Sequence, residues 1–303
     1  MRVTPFTIPV AKDQSIHVQE DILPHFYEHL HQHNEIQVTW IISGEGTLVA
    51  GNIMQPFQPG EIFVLGAAQP HLFKSDAIYF EPGSTKKVHS FNIFFSPNGV
   101  MTSLLNFPEM VTIKKFINSS LHGIKASAKS QHVLSDFFWK VKNNSQAYRL
   151  SAFIELLQVM ANLADWEYLS TESFGHAISD TEGLRMTEIY QYTMSNYTEN
   201  ITLEQIADVV FLTPQSFCRY FKKHTLKTYT GFLNEVRINE ACKEFMGNRF
   251  QSISEVAYKT GFNNVVTFNR VFRNVVGKSP REFIKEFHKN IQPANQSFEL
   301  SGC

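Results

Sequence analysis

Cysteine is scarce. Cys218, Cys242 and Cys303 are the only three in 303 residues, an odd number at wide spacing that excludes a disulfide framework. A reducing compartment, the cytoplasm, is the expected setting. Long apolar runs are also missing. The best, 154–164, is interrupted by Glu155 and Gln158 and falls short of the ~18 residues a spanning helix needs, so no membrane partner is expected. The opening MRVTPFTIPVAKDQ has one early Arg but no sustained apolar run or small-residue cleavage site, so no secretory leader is expected. Gly277-Lys278-Ser279 is not a phosphate loop, because position 272, where that motif requires Gly, is Phe.

Charge of one sign is lacking overall, with a net −1. That value hides an asymmetry. Residues 1–183 hold 12 basic and 17 acidic residues, and residues 184–290 hold 15 and 10. An acidic front and a basic back point to a polyanion met only by the back half.

Three textures follow one another. Residues 1 to about 100 read as short strands, Ile36–Ser43, Gly46–Ala50, Glu61–Leu65 and Val88–Ser96, punctuated by Gly44, Gly46, Gly51, Pro56, Pro59, Gly60 and Pro70. Such spacing predicts a small barrel or sandwich. Ser130–Lys142 and Ala147–Trp166 carry apolar residues three and four apart and are expected to be amphipathic helices. Polar, glycine-containing 170–183 is the expected linker. The pattern from 184 to 290 is helical throughout, and 291–303 is an expected loose tail.

The helical part repeats itself. Ala207 answers to Ala257, Phe217 to Phe268, Arg219 to Arg270, Phe221 to Phe272 and Lys222 to Arg273. In the first copy Thr202 is an N-cap with Gln205 as capping-box partner. Phe211-Leu212 then turns the chain, and Thr213-Pro214 starts the next helix. In the second copy Gly261-Phe262-Asn263 turns the chain, and Asn263 or Asn264 caps. Phe217, Tyr220 and Phe221, like Phe268, Val271 and Phe272, form an inward stripe. Gln215, Ser216, Arg219, Lys222 and Lys223 lie outward, as do Asn264, Val266, Asn269, Arg270 and Arg273. A basic, amide-bearing face on the second helix of such a pair suits the major groove. Arg bridges guanine, Asn and Gln bridge adenine, Lys neutralises phosphate and Val meets thymine methyls. A merely solvated bundle would explain one such unit better than two in tandem. Between the copies, residues 231–245 predict one amphipathic helix, a stiff spacer that sets the reading helices about one DNA turn apart.

The run Ala257-x3-Gly261-Phe262-x5-Phe268-x-Arg270-x-Phe272-Arg273-x3-Gly277-x-Ser279-Pro280-x2-Phe283 resembles the signature of the AraC/XylS regulators. The resemblance extends back through Arg237-Ile238-x2-Ala241 and the first copy, about 100 residues in all. It implies that both reading helices contact double-stranded DNA, and that a homodimer and RNA polymerase are further partners. The chain departs from the pattern at Leu226, where family members often have Gly, and at Val265 and Val266, where polar residues are common. The denser polar face of the first copy is expected to supply most base discrimination, and the second phosphate anchoring and methyl contacts.

A second cluster lies in the strand-rich part: His29-Leu-His31-Gln-His33-Asn-Glu35-Ile-Gln37, with Pro70-His71 later. If 31–41 were one strand, His31, His33, Glu35, Gln37 and Thr39 would share a face. The pattern resembles a cupin barrel, which implies that His31, His33 and His71 converge with Gln37 in the usual carboxylate place. Three uses compete: a polar pocket for a small-molecule effector, a divalent metal site, or mutual hydrogen bonding. The first is the reading taken, with no metal and no cofactor assigned. The expected class is α+β, a cupin-like N-terminal barrel with packed helices (1–169) followed by an all-α domain of two helix-turn-helix units (184–290). The expected activity is DNA-binding transcription regulation, with activation and repression both open, dimerisation through helices within 130–166, and no catalytic residues. The rival is a metal-dependent cupin enzyme with an appended helical module.

Overall fold

Alternation decides the first unit, because the two faces of Ile36–Ser43 meet different neighbours. The computed structural model describes residues 14–291 except 28, 52, 100, 127, 165, 170–179, 248 and 249. It divides the chain into two compact units, Met1–Glu188 and Ile189–Cys303. In the first, β1 (Ile16–Leu23), β2 (Ile36–Ser43), β3 (Gly46–Ala50), β4 (Ile53–Phe57), β5 (Ile62–Leu65), β6 (His71–Ser75) and β7 (Val88–Phe95) precede α1 (Thr102–Leu105) and α2 (Val111–Ser119). Then come β8 (Ile124–Ala126), α3 (Ala128–Asn143), α4 (Gln146–Asn162) and β9 (Trp166–Tyr168).

These strands form two antiparallel sheets, ordered β1-β7-β2-β5-β8-β9 and β4-β3-β6, the sandwich of the two arrangements the strand spacing predicts. Ile36, Val38, Ile62, Val64, Phe91, Ile93 and Phe95 point from the larger sheet into one core with Phe138, Phe153, Leu156 and Leu157 of α3 and α4. Ile41, Phe63 and Leu65 point the other way and pack with Leu48, Ala50, Phe57 and Phe73 of the smaller sheet. Each such buried side chain contributes roughly 1.5–3 kcal/mol of transfer free energy, so the helix layer and the second sheet are both obligatory covers.

Three expectations need correcting. β2 starts at Ile36, so His31, His33 and Glu35 are not on it. The second helix stops at Asn162 rather than Trp166. Leu163 turns extended there, with ψ 131°, and Trp166 becomes the first residue of β9, its indole Nε1 donating 2.9 Å to the Met160 carbonyl. Pro56 lies within β4 rather than in a turn, on an edge strand where its missing N–H does no harm.

Helix α5 (Asp180–Asn196) takes in the last four residues of the expected linker, and 170–179 lie outside the described residues. The expected tail is likewise outside from 292 on. Then follow α6 (Leu203–Val209), α7 (Pro214–Thr225), α8 (Tyr229–Met246), α9 (Ile253–Lys259), α10 (Val265–Val276) and α11 (Pro280–Ile291). Among the described residues no helix is long and apolar enough to cross a membrane.

Candidate nucleic-acid interface and histidine cluster

Caps set the two helix pairs. Thr202 Oγ1 accepts from the Gln205 amide at 3.2 Å while Gln205 Oε1 accepts from the Thr202 amide at 2.8 Å, a complete capping box on α6. Ser252 does the first half of this for α9, accepting from the Glu255 amide at 3.1 Å. Thr213 caps α7, with Pro214 following. Asn264, not Asn263, caps α10, its Oδ1 accepting from Val266 at 2.7 Å and Thr267 at 3.3 Å. That oxygen is thereby committed, so the Asn264 side chain cannot bridge an adenine with both its ends; its amide group is left for a phosphate or a single acceptor.

The turns need left-handed backbone. Phe211 has φ +55° and its counterpart Gly261 φ +88°. Gly261 is also held by space: a Cβ there would sit 2.6 Å from the Tyr197 carbonyl oxygen and 2.9 Å from Arg237 Nε. Helix α7 ends on Leu226 at φ +61°, the place where Gly was the family habit, and α10 ends on Gly277 at φ +80°.

Both helices after the turns are sharply two-faced. Phe217 and Phe221 of α7 are buried against Tyr229 and Phe232 of α8. Phe268 and Phe272 of α10 are buried against Phe245 of the same α8. Tyr220 and Val271 are only partly buried. On the opposite sides, Gln215, Arg219, Lys222 and Lys223 are exposed on α7, and Val266, Asn269, Arg270 and Arg273 on α10. Ser216 is half-buried, its Oγ accepting from the Thr213 hydroxyl. Val266 is 77% exposed, unusual for an aliphatic side chain at a helix start.

The expected spacer is α8, which contributes Tyr229 and Phe232 toward one helix pair and Ile238, Ala241, Cys242 and Phe245 toward the other. Eighteen residues make a rod about 27 Å long. Arg237 is the brace that residue patterns did not reveal. Its Nε donates to the Tyr197 carbonyl and Nη2 to the Glu199 carbonyl, both 2.8 Å, and the guanidinium lies 5.7 Å from the Phe262 ring. It thus ties the loop before α6 to the turn of the second pair. Its place in the run Arg237-Ile238-x2-Ala241 was the available signal.

In the first unit, His31, His33, Gln37 and His71 come together although only Gln37 is on β2. Residues 31 and 71 form a backbone bridge, with N–H···O distances of 3.0 and 2.8 Å. His33 Nε2 and His71 Nε2 are each 3.0 Å from Gln37 Oε1. One ring nitrogen of each histidine lies within 4.8 Å of the others. Glu35 does not join them; its carboxylate sits 3.6 Å from His33 Nδ1, on the far side of that ring. Burial disfavours the imidazolium form of all three. It pushes His31 down to about 4, and lowers His33 and, further, His71. Behind Gln37, Thr39 and Asn92 are buried and bonded in series.

Residues 206–286 match the family described as "Helix-turn-helix domain". The chain is similar to the transcriptional activator RhaS of Mannheimia succiniciproducens, 21% identical over 85% of this chain and 88% of that one. It is similar to the Msm operon regulatory protein of Streptococcus mutans, 22% identical over 84% and 85%. Among solved structures, ToxT from Vibrio cholerae O395 aligns over 90% of this chain and 98% of that one at 17% identity, with a TM-score of 0.36, too low to carry an argument.

Proposed function

We propose that this chain, which belongs to the AraC/XylS family of helix-turn-helix transcriptional regulators, reads operator DNA with α7 and α10 under control of a ligand held by its β-rich N-terminal unit. One observation carries the DNA part. Two capped helices present basic and amide side chains outward, and the same rod, α8, braces both from behind. Rigid bracing fixes the separation of two reading helices before DNA arrives, so binding does not have to order them.

The roles divide by residue type. Arg219, Gln215, Asn269 and Arg270 have the donors and acceptors that distinguish base pairs; Val266 meets thymine methyls; Lys222, Lys223 and Arg273 neutralise phosphate. The half-buried Ser216 and the capping Asn264 contribute shorter contacts at the helix starts. Base discrimination rests mainly on α7. The relatives matched along most of their length are regulators, and RhaS is named an activator; the same activity, acting on DNA in the cytoplasm through RNA polymerase, is proposed here. Dimerisation is assigned to α3 and α4, where Val133, Trp139 and Tyr148 are exposed.

His31, His33, Gln37 and His71 form the ligand site. The ligand acts by binding more tightly to one of two states that differ in DNA affinity.

Footprinting the full chain on its operator tests this. Protection of two successive major grooves on one face is expected, with log K falling against log salt at a slope of at least roughly −3 from Lys222, Lys223 and Arg273. A protected region confined to one groove, or salt-independent binding, contradicts it.

A further inference from the structure

The hydrogen bonds behind the histidine cluster determine which atom of Gln37 faces it. The Asp21 carboxylate only accepts, and Asn92 Nδ2 donates to it at 2.9 Å. The Asn92 oxygen therefore faces the other way and accepts the Thr39 hydroxyl proton at 2.8 Å. With that proton used, Thr39 Oγ1 can only accept, and Gln37 Nε2 donates to it at 2.7 Å. A carboxylate on β1 thus sets each dipole in turn, and the last one aims Gln37 Oε1, an acceptor, at His33 and His71.

The histidines are oriented just as strictly. The Nδ1 atoms of His31, His33 and His71 lie 2.9, 2.9 and 2.8 Å from the carbonyl oxygens of His29, Glu35 and Gln69. A carbonyl accepts only, so each Nδ1 carries the proton. In a neutral ring, Nε2 then bears a lone pair. Two such nitrogens stand 3.0 Å from an amide oxygen that has no proton to offer. Lone pair faces lone pair in a buried place, which is costly unless a positive charge sits between them. Adding a proton to both rings would bring two positive charges onto one buried amide oxygen, which is costly too. A single cation satisfies the lone pairs of His33, His71 and Gln37 at once.

We propose that His31, His33 and His71 through Nε2, with Gln37 through Oε1, bind one divalent first-row transition-metal ion, and that this ion is the ligand of the N-terminal unit. The regulatory half of this statement rests on the function proposed above; the metal site does not. Tetrahedral ligands about 2.0–2.1 Å from zinc stand about 3.3 Å apart, close to the 3.0 Å contacts already present and inside the 4.8 Å limit of the histidine set. Three imidazoles and an amide oxygen suit zinc, cobalt, nickel or iron rather than magnesium or calcium. Each Nδ1–H on a backbone carbonyl, with the Glu35 carboxylate behind His33, is the supporting arrangement that metal-bound histidines use.

Co2+ titrated into the chelator-treated full chain tests this. One equivalent is expected to bind with the visible d–d absorption of a low-coordinate nitrogen-rich site, and Zn2+ to displace it. His33→Gln/His71→Gln should abolish saturable binding. Thr39→Val, which keeps the volume but leaves Gln37 Nε2 only its 3.3 Å contact to Asn92 Oδ1, should weaken binding roughly 10-fold. Gln37→Glu, which puts a carboxylate in the same place, should tighten it roughly 10-fold or more. Should the double histidine variant fail to fold, Gln37→Glu decides: an unchanged dissociation constant overturns the site. So does absence of one-to-one Co2+ binding by the natural chain, or binding that survives in a folded double variant. Operator affinity with and without Zn2+ separates the two halves. One-to-one binding with a change in DNA affinity supports both, and binding with no such change keeps the metal site while overturning its regulatory role.

Discussion

Gly261 and Gly277 have nearly the same backbone, φ +88° and +80°, in different surroundings. Alanine at either must hold a left-handed conformation, at about 1 kcal/mol or somewhat more, offset by ~0.4–1 kcal/mol from a less flexible unfolded chain. At Gly277 nothing lies within 4 Å of the new Cβ, so Gly277→Ala should destabilise by about 1 kcal/mol at most. At Gly261 the Cβ would overlap the Tyr197 carbonyl oxygen and crowd Arg237 Nε, which are themselves hydrogen-bonded at 2.8 Å. Displacing them weakens a charge-assisted bond of about 1.5–3 kcal/mol. Gly261→Ala should therefore destabilise by about 2–4 kcal/mol. The gap of roughly 2 kcal/mol corresponds to about 10 °C in a unit of this size. The assay is simplified by composition. All three tryptophans, Trp40, Trp139 and Trp166, are in the first unit. Thermal loss of helical circular dichroism without a change in tryptophan fluorescence therefore reports the second unit alone. Equal shifts for the two variants would refute the brace that Arg237 is said to provide.

Other outcomes follow from single residues. Phe211 is 90% exposed at φ +55°, so Phe211→Gly should be neutral or stabilising by up to about 1 kcal/mol; a larger loss in chemical denaturation would mean the ring has a partner. Thr202→Ala removes one bond of the α6 capping box and should cost about 1 kcal/mol by the same measurement. In metal-stripped protein, the folded-state values of His31, His33 and His71 lie below the unfolded 6.5. Unfolded chains then bind protons that the folded unit refuses, so stability is full above about pH 6.5 and falls as pH drops toward 4. His31 alone contributes on the order of 2–3 kcal/mol across that window. Tryptophan-monitored urea midpoints that stay constant from pH 7 to about 4.5 would contradict this.

Local chemistry was legible and distant pairing was not. Thr202 with Gln205, Thr213 with Pro214, and Gly261 each act on residues a few positions away, so their roles could be read from spacing. The faces of α7 and α10 followed from helical period alone. The histidine cluster was identified by residue type but placed by the wrong geometry. His31 and His33 precede β2, and His33 reaches Gln37 with His31 beside it because a bridge to residue 71 pins the chain, a contact no local pattern encodes. The same applies to β8 and β9, three-residue strands too short to show alternation. Asp21 and Asn92 orient Gln37 only because β7 pairs with both β1 and β2.

The central claim, that α7 and α10 read DNA, is tested most directly by equilibrium binding of the full chain, Arg219→Ala and Arg270→Ala to the operator and to unrelated duplex at one salt concentration. Each variant should lose about 1–3 kcal/mol on the operator and much less on unrelated DNA, with the larger loss of discrimination for Arg219→Ala. A correctly folded double variant that binds the operator as tightly as the natural chain would contradict the account.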